Sequence, residues 1–136
     1  MSFTLSPYLA LDGTTRQAME FYQSILGGEL TITTFAEGGA GDFPGSDRVM
    51  HARLITDAGH EIFGADTLVQ MGHSAGDTVA LSLMGTDDAL PAIFERLAEG
   101  GEVIVAFQHQ MWGDDYGQLR DKFGVIWHVD RYDARA

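Results

Sequence analysis

The feature that most constrains the fold of this chain is an internal repeat. Residues 9–14 read LALDGT and residues 81–86 read LSLMGT, an offset of 72, while LGGELTI at 26–32 parallels EGGEVIV at 99–105, an offset of 73. The order strand, Gly-Thr, helix, Gly-Gly-Glu, strand therefore occurs twice in 136 residues. Such self-similarity predicts two copies of one supersecondary unit. We expect a single domain, residues 1–136, made of two modules at roughly 1–70 and 71–136.

Each half contains one helix pattern. The first begins after the tripeptide DGT at 12–14 and the second after GTD at 85–87, and in both the apolar residues recur at helical spacing. Thr14 or Thr15 is the expected N-cap of the first helix. A Gly-Gly pair is expected to end each helix, because glycine readily adopts the left-handed backbone found there.

Three strand-like segments follow each helix. In the first half they are ELTITTF, VMHARLI and HEIFGA, and in the second EVIVAF, YGQLR and VIWHV. The turns TDAG at 56–59 and DKFG at 121–124 suit hairpins. With a leading strand before each helix, each half reads as βαβββ. The predicted fold class is α+β, with the two modules forming a curved mixed sheet around a cleft.

Strand alternation sorts the side chains into two sets. One set is expected to face the helices: Leu9, Leu11, Leu54, Ile62, Leu81, Leu83, Leu119 and Trp127. The other set is more polar and is expected to face the cleft: Ser6, Tyr8, His51, Arg53, Glu61, Phe63, Thr78, Ala80, Ser82, Tyr116, Gln118 and His128.

Composition excludes several kinds of function. The chain has no cysteine, so it forms neither disulfides nor thiolate metal sites and has no cysteine nucleophile. A net charge of −12 disfavours nucleic acid and anionic membranes as partners, since both require a basic surface. No apolar run reaches the length of a membrane span, and no leader pattern is evident. We expect a soluble, cytoplasmic protein.

Four segments carry a resemblance to a known family: PYLALDGTTRQAMEFYQSILGGEL, VMHARL, ALSL and MWGDDYGQLRDKFGVIWHV. Together they resemble the PhnB-like branch of the vicinal oxygen chelate superfamily, which includes glyoxalase I, extradiol dioxygenases, fosfomycin-resistance enzymes and bleomycin-binding proteins. The resemblance covers nearly the whole chain, and residues 112–127 are its most specific part. It implies paired βαβββ modules, a small-molecule ligand and a homodimer.

The resemblance also implies where a metal would bind. In glyoxalase I the ligands come from the first and fourth strands of each module, and the repeat places these positions at Ser6, Phe63, Thr78 and His128. Only His128 has a side chain that divalent transition metals favour. We therefore predict no metal residues and no cofactor. A divalent ion would need additional ligands from neighbouring strands, such as Glu61 or His51.

Eight residues are the candidate ligand-binding set: Tyr8, His51, Arg53, Phe63, Trp112, Tyr116, Gln118 and His128. His128 is also the candidate catalytic residue. It could hydrogen-bond an organic ligand, act as a general acid or base, or simply bond a neighbour in the cleft.

The aromatic residues and the His51–Arg53 pair of this set each have two possible roles. Trp112 and Tyr116, with nearby Phe107, could form an aromatic wall, or Trp112 could be a core or dimer contact. His51 and Arg53 could grip an anionic group, or His51 could pair with Glu61.

Three functions follow from these residues and from the resemblance. The favoured one is a protein that binds a small organic molecule without a metal. The alternative is a metal-dependent or acid/base lyase, isomerase or dioxygenase acting on a small oxygenated substrate. The third, 3-demethylubiquinone 3-methyltransferase, is a name often attached to this branch. It is disfavoured because the usual adenosylmethionine site has a Gly-rich loop that opens a helix, whereas the Gly-Gly pairs here end helices.

Overall fold

The computed structural model of the chain describes residues 2–133, except for the side chain of Gln70. The chain divides between Ser74 and Ala75 into two compact units. Each unit contains one helix and one four-stranded sheet. This confirms the α+β class and the βαβββ order of each module. The predicted cleft between the modules stays a prediction. Among the described residues, no helix has both the length and the apolar character needed to span a bilayer.

The first unit follows the predicted order of elements. It consists of β1 (Tyr8–Leu11), α1 (Thr15–Leu26), β2 (Glu29–Thr34), β3 (Val49–Ile55) and β4 (Glu61–Asp66), followed by a short 3-10 helix (Val69–Met71). The strand order is β1-β4-β3-β2. Strand β1 is parallel to β4, and the other pairs are antiparallel.

The second unit repeats this arrangement. It consists of β5 (Leu81–Gly85), α2 (Leu90–Ala98), β6 (Glu102–His109), β7 (Asp115–Arg120) and β8 (Ile126–Arg131). The strand order is β5-β8-β7-β6, and β5 is parallel to β8. All six predicted strands after the helices end within two residues of the observed bounds, because alternation and turn residues are local signals.

The predicted helix-facing residues lie on the side of each sheet that packs against its helix, and Leu54, Leu119 and Trp127 are fully buried there. In β7, Gly117 lies directly against Phe94 of α2. Side chains alternate along a strand, so the residues on either side of Gly117 point away from α2. We call the side of the first sheet away from α1 the first face, and the side of the second sheet away from α2 the second face.

The start of α1 differs from the expectation. Thr14 occupies the N-cap, but its side chain makes no capping hydrogen bond. The backbone N–H of Thr15 instead donates to Oδ1 of Asp66 (3.0 Å), and the N–H of Val49 donates to Oδ2 (2.9 Å). Thr14 therefore holds the predicted N-cap position, but it does not cap the helix through its side chain. A buried carboxylate from β4 accepts both bonds and ties the helix to the sheet.

The repeated Gly-Gly pairs have one physical cause in both units. The first glycine of each pair, Gly27 or Gly100, has a φ of +72°, in the left-handed region. The second lies against backbone: a Cβ on Gly28 would be 1.8 Å from the carbonyl oxygen of Ile55, and one on Gly101 would be 2.3 Å from that of Arg120. Each helix therefore ends where the chain must turn and pass closely beside a hairpin.

Candidate functional site

The structure divides the eight candidate ligand-binding residues equally between the two units. Four belong to the strands of the first face: Tyr8, His51, Arg53 and Phe63. Three belong to strands of the second face, and one to the turn between β6 and β7: Tyr116, Gln118, His128 and Trp112.

The second face is centred on a hydrogen-bonded pair of side chains. The Tyr116 hydroxyl lies 2.6 Å from Nδ1 of His128, and the ring centroids are 5.8 Å apart with an interplanar angle of 26°. The pairing of β7 with β8 sets Gln118 opposite His128 and Asp130 opposite Tyr116. Both rings of the pair are half-buried. This part of the second face thus brings an imidazole, a phenol, an amide and a carboxylate together on two adjacent strands.

Trp112 extends this aromatic surface. Its ring centroid lies 5.9 Å from that of Tyr116, and 59% of the residue is exposed. Phe107 is not part of the wall, contrary to the expectation. Its ring packs on Phe94 of α2 at 5.3 Å, on the other side of the sheet. Strand β6 has irregular register between Val103 and Gln108, so simple alternation does not predict which way Phe107 points.

The environment of Tyr116 keeps its hydroxyl protonated. Burial of the phenol, together with the negative charge of Asp130, raises the pKa of Tyr116 above its ordinary value. The hydroxyl beside His128 is therefore neutral throughout the physiological pH range. Asp130 is not among the residues predicted from the sequence, although it lies two residues beyond His128 on the same strand and so on the same face.

The first face has a different character. The rings of Tyr8 and Phe63 are nearly parallel at 6.1 Å, and the His51 ring lies 5.6 Å from Phe63. Arg53 Nε donates to Oε2 of Glu61 at 2.9 Å, and this hydrogen bond and charge raise the pKa of Arg53. Glu61 therefore pairs with Arg53 and not with His51. Arg53 already has a carboxylate partner, which weakens the idea that it grips an anionic ligand together with His51.

The four positions inferred for a metal are divided between the two units. Ser6 and Thr78 precede β1 and β5 and lie outside the strands. Tyr8 is the residue opposite Phe63, and Ser82 is the residue opposite His128. Within residues 2–133, no three His, Asp or Glu side chains are grouped so that they could hold a metal ion. Ser6, Phe63 and Thr78 do not have side chains that divalent transition metals favour, so these donors do not fit such an ion.

Comparison with known proteins identifies the family. The profile of the Glyoxalase/Bleomycin resistance protein/Dioxygenase superfamily matches residues 4–129. The chain belongs to this superfamily. Protein YjdN of Escherichia coli strain K12 is 29% identical over 139 residues, which cover 93% of this chain and 93% of that protein.

Solved structures of this superfamily match the fold over most of its length. PA1353 from Pseudomonas aeruginosa has a TM-score of 0.84 and 28% identity, covering 98% of this chain and 100% of that chain. A PhnB protein from Bacillus cereus, whose name proposes a 3-demethylubiquinone-9 3-methyltransferase, has a TM-score of 0.76 and 23% identity, covering 93% of this chain and 98% of that chain. These likenesses agree with the paired βαβββ modules described above.

Proposed function

We propose that this protein binds a small organic molecule on the second face, without a metal ion. The observation that carries the proposal is the Tyr116–His128 pair beside the exposed ring of Trp112. Binding sites of this kind combine aromatic surface, which contributes apolar contact, with a few polar groups that orient the ligand. In this proposal Trp112 and Tyr116 supply the contact area, and His128 and Gln118 supply the hydrogen bonds.

The rings of the first face, taken by themselves, are proposed as a second surface that can contact a ligand. Tyr8, His51 and Phe63 form a cluster with centroid separations between 5.6 and 6.3 Å. Such a cluster favours aromatic or apolar groups. On this surface Arg53 is proposed to offer its aliphatic stem, because its guanidinium already bonds Glu61.

An acid/base enzyme is the second candidate, and the 2.6 Å contact between Tyr116 and His128 favours it. An imidazole that is hydrogen-bonded to a phenol can act as a general acid or base. In this case His128 would be the catalytic residue. A turnover rate that is lost in His128→Ala would identify this function, and an unchanged rate would exclude His128 from the chemistry.

The methyltransferase name is not part of the proposal. Gly27-Gly28 and Gly100-Gly101 follow α1 and α2, whereas the usual adenosylmethionine site requires such glycines before a helix. Micromolar binding of labelled adenosylmethionine would contradict this conclusion.

Two further expectations accompany the proposal. The resemblance to dimeric relatives supports a homodimer. The absence of cysteine and the acidic composition are compatible with a cytoplasmic location. We therefore propose a cytoplasmic homodimer.

The decisive experiment is native mass spectrometry of the purified protein together with elemental analysis. We expect a co-purified organic molecule and far less than one divalent metal ion per chain. His128→Phe and Trp112→Ala should lose the molecule, whereas His60→Ala, a change at an exposed hairpin residue, should retain it. Stoichiometric metal, or retention of the molecule by both site variants, would contradict the proposal.

A further inference from the structure

We propose that Tyr116 holds His128 as the tautomer protonated on Nε2, so that the ligand meets a hydrogen-bond donor and is a neutral, planar molecule with a carbonyl oxygen. This inference rests on the proposed function and names the ligand class of the same site. Tyr116 thus positions His128 in addition to supplying ring surface, and His128 is the residue that hydrogen-bonds the ligand.

The tautomer follows from the chemistry of the Tyr116–His128 pair. One hydrogen atom lies between the phenol oxygen and Nδ1, which are 2.6 Å apart. A neutral phenol is a better donor than acceptor, and an unprotonated imidazole nitrogen is a strong acceptor. The phenol therefore donates to Nδ1. A neutral imidazole carries only one hydrogen, so it is on Nε2.

The atom left to the ligand is therefore a donor. Within residues 2–133, the His128 ring makes no hydrogen bond other than the one with Tyr116. An N–H group bonds a carbonyl or other oxygen acceptor, whereas an ammonium group of a ligand would place donor against donor. This argues for an acceptor and against a cationic amine at His128.

Charge on the second face argues against an anionic acceptor. Asp130 lies opposite Tyr116, and its negative charge is felt by the phenol. Arg120 is on the same face, but it lies at the far end of β7 and donates to the carbonyl oxygen of Gly124 at 3.1 Å. A carboxylate or phosphate beside His128 would be repelled by the negative charge of Asp130, two residues further along the same strand. A neutral carbonyl avoids this repulsion.

The shape of the ligand is inferred from Trp112. The residue is 59% exposed, and its ring is inclined at 57° to that of Tyr116, so the two rings form a corner. A flat molecule can lie on one ring and meet the edge of the other. The chemistry of the site thus points to a conjugated or aromatic carbonyl compound.

The tautomer is tested by long-range 1H–15N NMR of the 15N-labelled protein at about pH 8.5, well above the ordinary imidazole pKa. The chain has five histidines, and His128→Phe identifies the signal of His128. We expect a hydrogen on Nε2 in the wild type and a mixture of tautomers in Tyr116→Phe. A hydrogen on Nδ1 in the wild type overturns the inference, whether or not the variants fold.

The ligand class is tested with three probes of similar size: acetophenone, benzylamine and benzoate. We expect acetophenone to shift the signals of His128 and Trp112 saturably, and to bind about tenfold more weakly to His128→Phe, as the loss of one hydrogen bond implies. His60→Ala should bind it as the wild type does. Stronger binding of benzylamine or benzoate at these residues overturns the ligand class but leaves the proposed function intact. No saturable shift from any probe counts against both.

Discussion

At the scale of the residue, two buried carboxylates organise the two units. Asp66 accepts the N–H groups of Thr15 and Val49, and Asp121 accepts the N–H groups of Phe123 and Val125. The Nε1–H of Trp127 also donates to Asp121 at 2.9 Å. A buried carboxylate is tolerated when its oxygens are fully hydrogen-bonded. Asp66 and Asp121 therefore have a structural role.

The role of Asp66 predicts the effect of Asp66→Asn. An amide has only one oxygen acceptor, so either Thr15 or Val49 loses the partner of its N–H. We expect the free energy of unfolding to fall by about 1–3 kcal/mol, the usual cost of an unsatisfied buried donor. Urea denaturation measures the change. Asp47→Asn, at an exposed loop position, is the control and should have little effect. Equal stability of the two variants would show that Asp66 does not cap α1.

Tyr116 gives a second prediction, concerning alkaline pH. Its pKa is raised by burial and by Asp130, so it should ionise above the ordinary tyrosine value of about 10. The folded state retains a proton that the unfolded state loses. The contribution of Tyr116 to stability is therefore fully present below about pH 10 and is lost as the pH rises through the folded-state pKa.

The measurement is the phenolate absorbance of the wild type minus that of Tyr116→Phe. This absorbance difference should appear at a higher pH than the absorbance of free tyrosine. Asp130→Asn removes the negative charge beside the phenol, so it should shift the transition to lower pH. A difference curve centred at the free-tyrosine value would refute the assigned environment.

At the scale of the element, the two modules repeat not only strands but also the details of their hairpin turns. The hydroxyl of Thr56 accepts the N–H of His60 at 3.1 Å, and Oδ1 of Asp121 accepts the N–H of Val125 at 3.1 Å. Both residues stand first in their turn, where a short polar side chain can bond the backbone. The same turn is thus built with a hydroxyl in one unit and a carboxylate in the other.

The packing of α2 against β7 predicts the effect of Gly117→Ala. A Cβ at this position would lie 2.8 Å from Cα of Phe107 and 2.8 Å from Cε2 of Phe94. We expect a loss of about 1–3 kcal/mol from overpacking. Gly85→Ala is the matched control, because a Cβ on this other strand glycine has nothing within 4 Å and should change stability by less than about 0.5 kcal/mol. Thermal denaturation of both variants measures the difference. Equal melting temperatures would contradict the close packing of α2 against β7 at Gly117.

At the scale of the whole molecule, the expected homodimer has a candidate contact in β6. This strand is at the edge of its sheet, and Val103, Ile104 and Val105 are 49%, 44% and 36% exposed. Apolar edge strands favour pairing with another chain. We predict a mass of two chains by light scattering for the wild type, and a shift towards one chain for Ile104→Lys.

The control for the dimer prediction is Val79→Lys. It places the same charge on another exposed apolar residue, which is 80% exposed and precedes β5. It should leave the mass unchanged. A wild type that remains a single chain at high concentration would remove the dimer from the proposal, and a dimer that survives Ile104→Lys would move the contact elsewhere.

Local signals in the sequence were enough to predict the two modules, their elements and, outside the irregular strand β6, the sorting of side chains between the faces. These properties depend on local signals: helical spacing, alternation, and glycines required by a left-handed turn or a close backbone contact. Gly27-Gly28 and Gly100-Gly101 are the clearest case, since they end both helices as predicted.

Only the tertiary structure decided which residues meet across the sheets. The bond of Asp66 to Val49, the pairing of Arg53 with Glu61 and the contact of Tyr116 with His128 all depend on the register between strands. Register is set by packing and by the irregularities of strands such as β6, and alternation alone contains no information about either. For this reason the sequence named most of the candidate site but not the bonds that give it its chemistry.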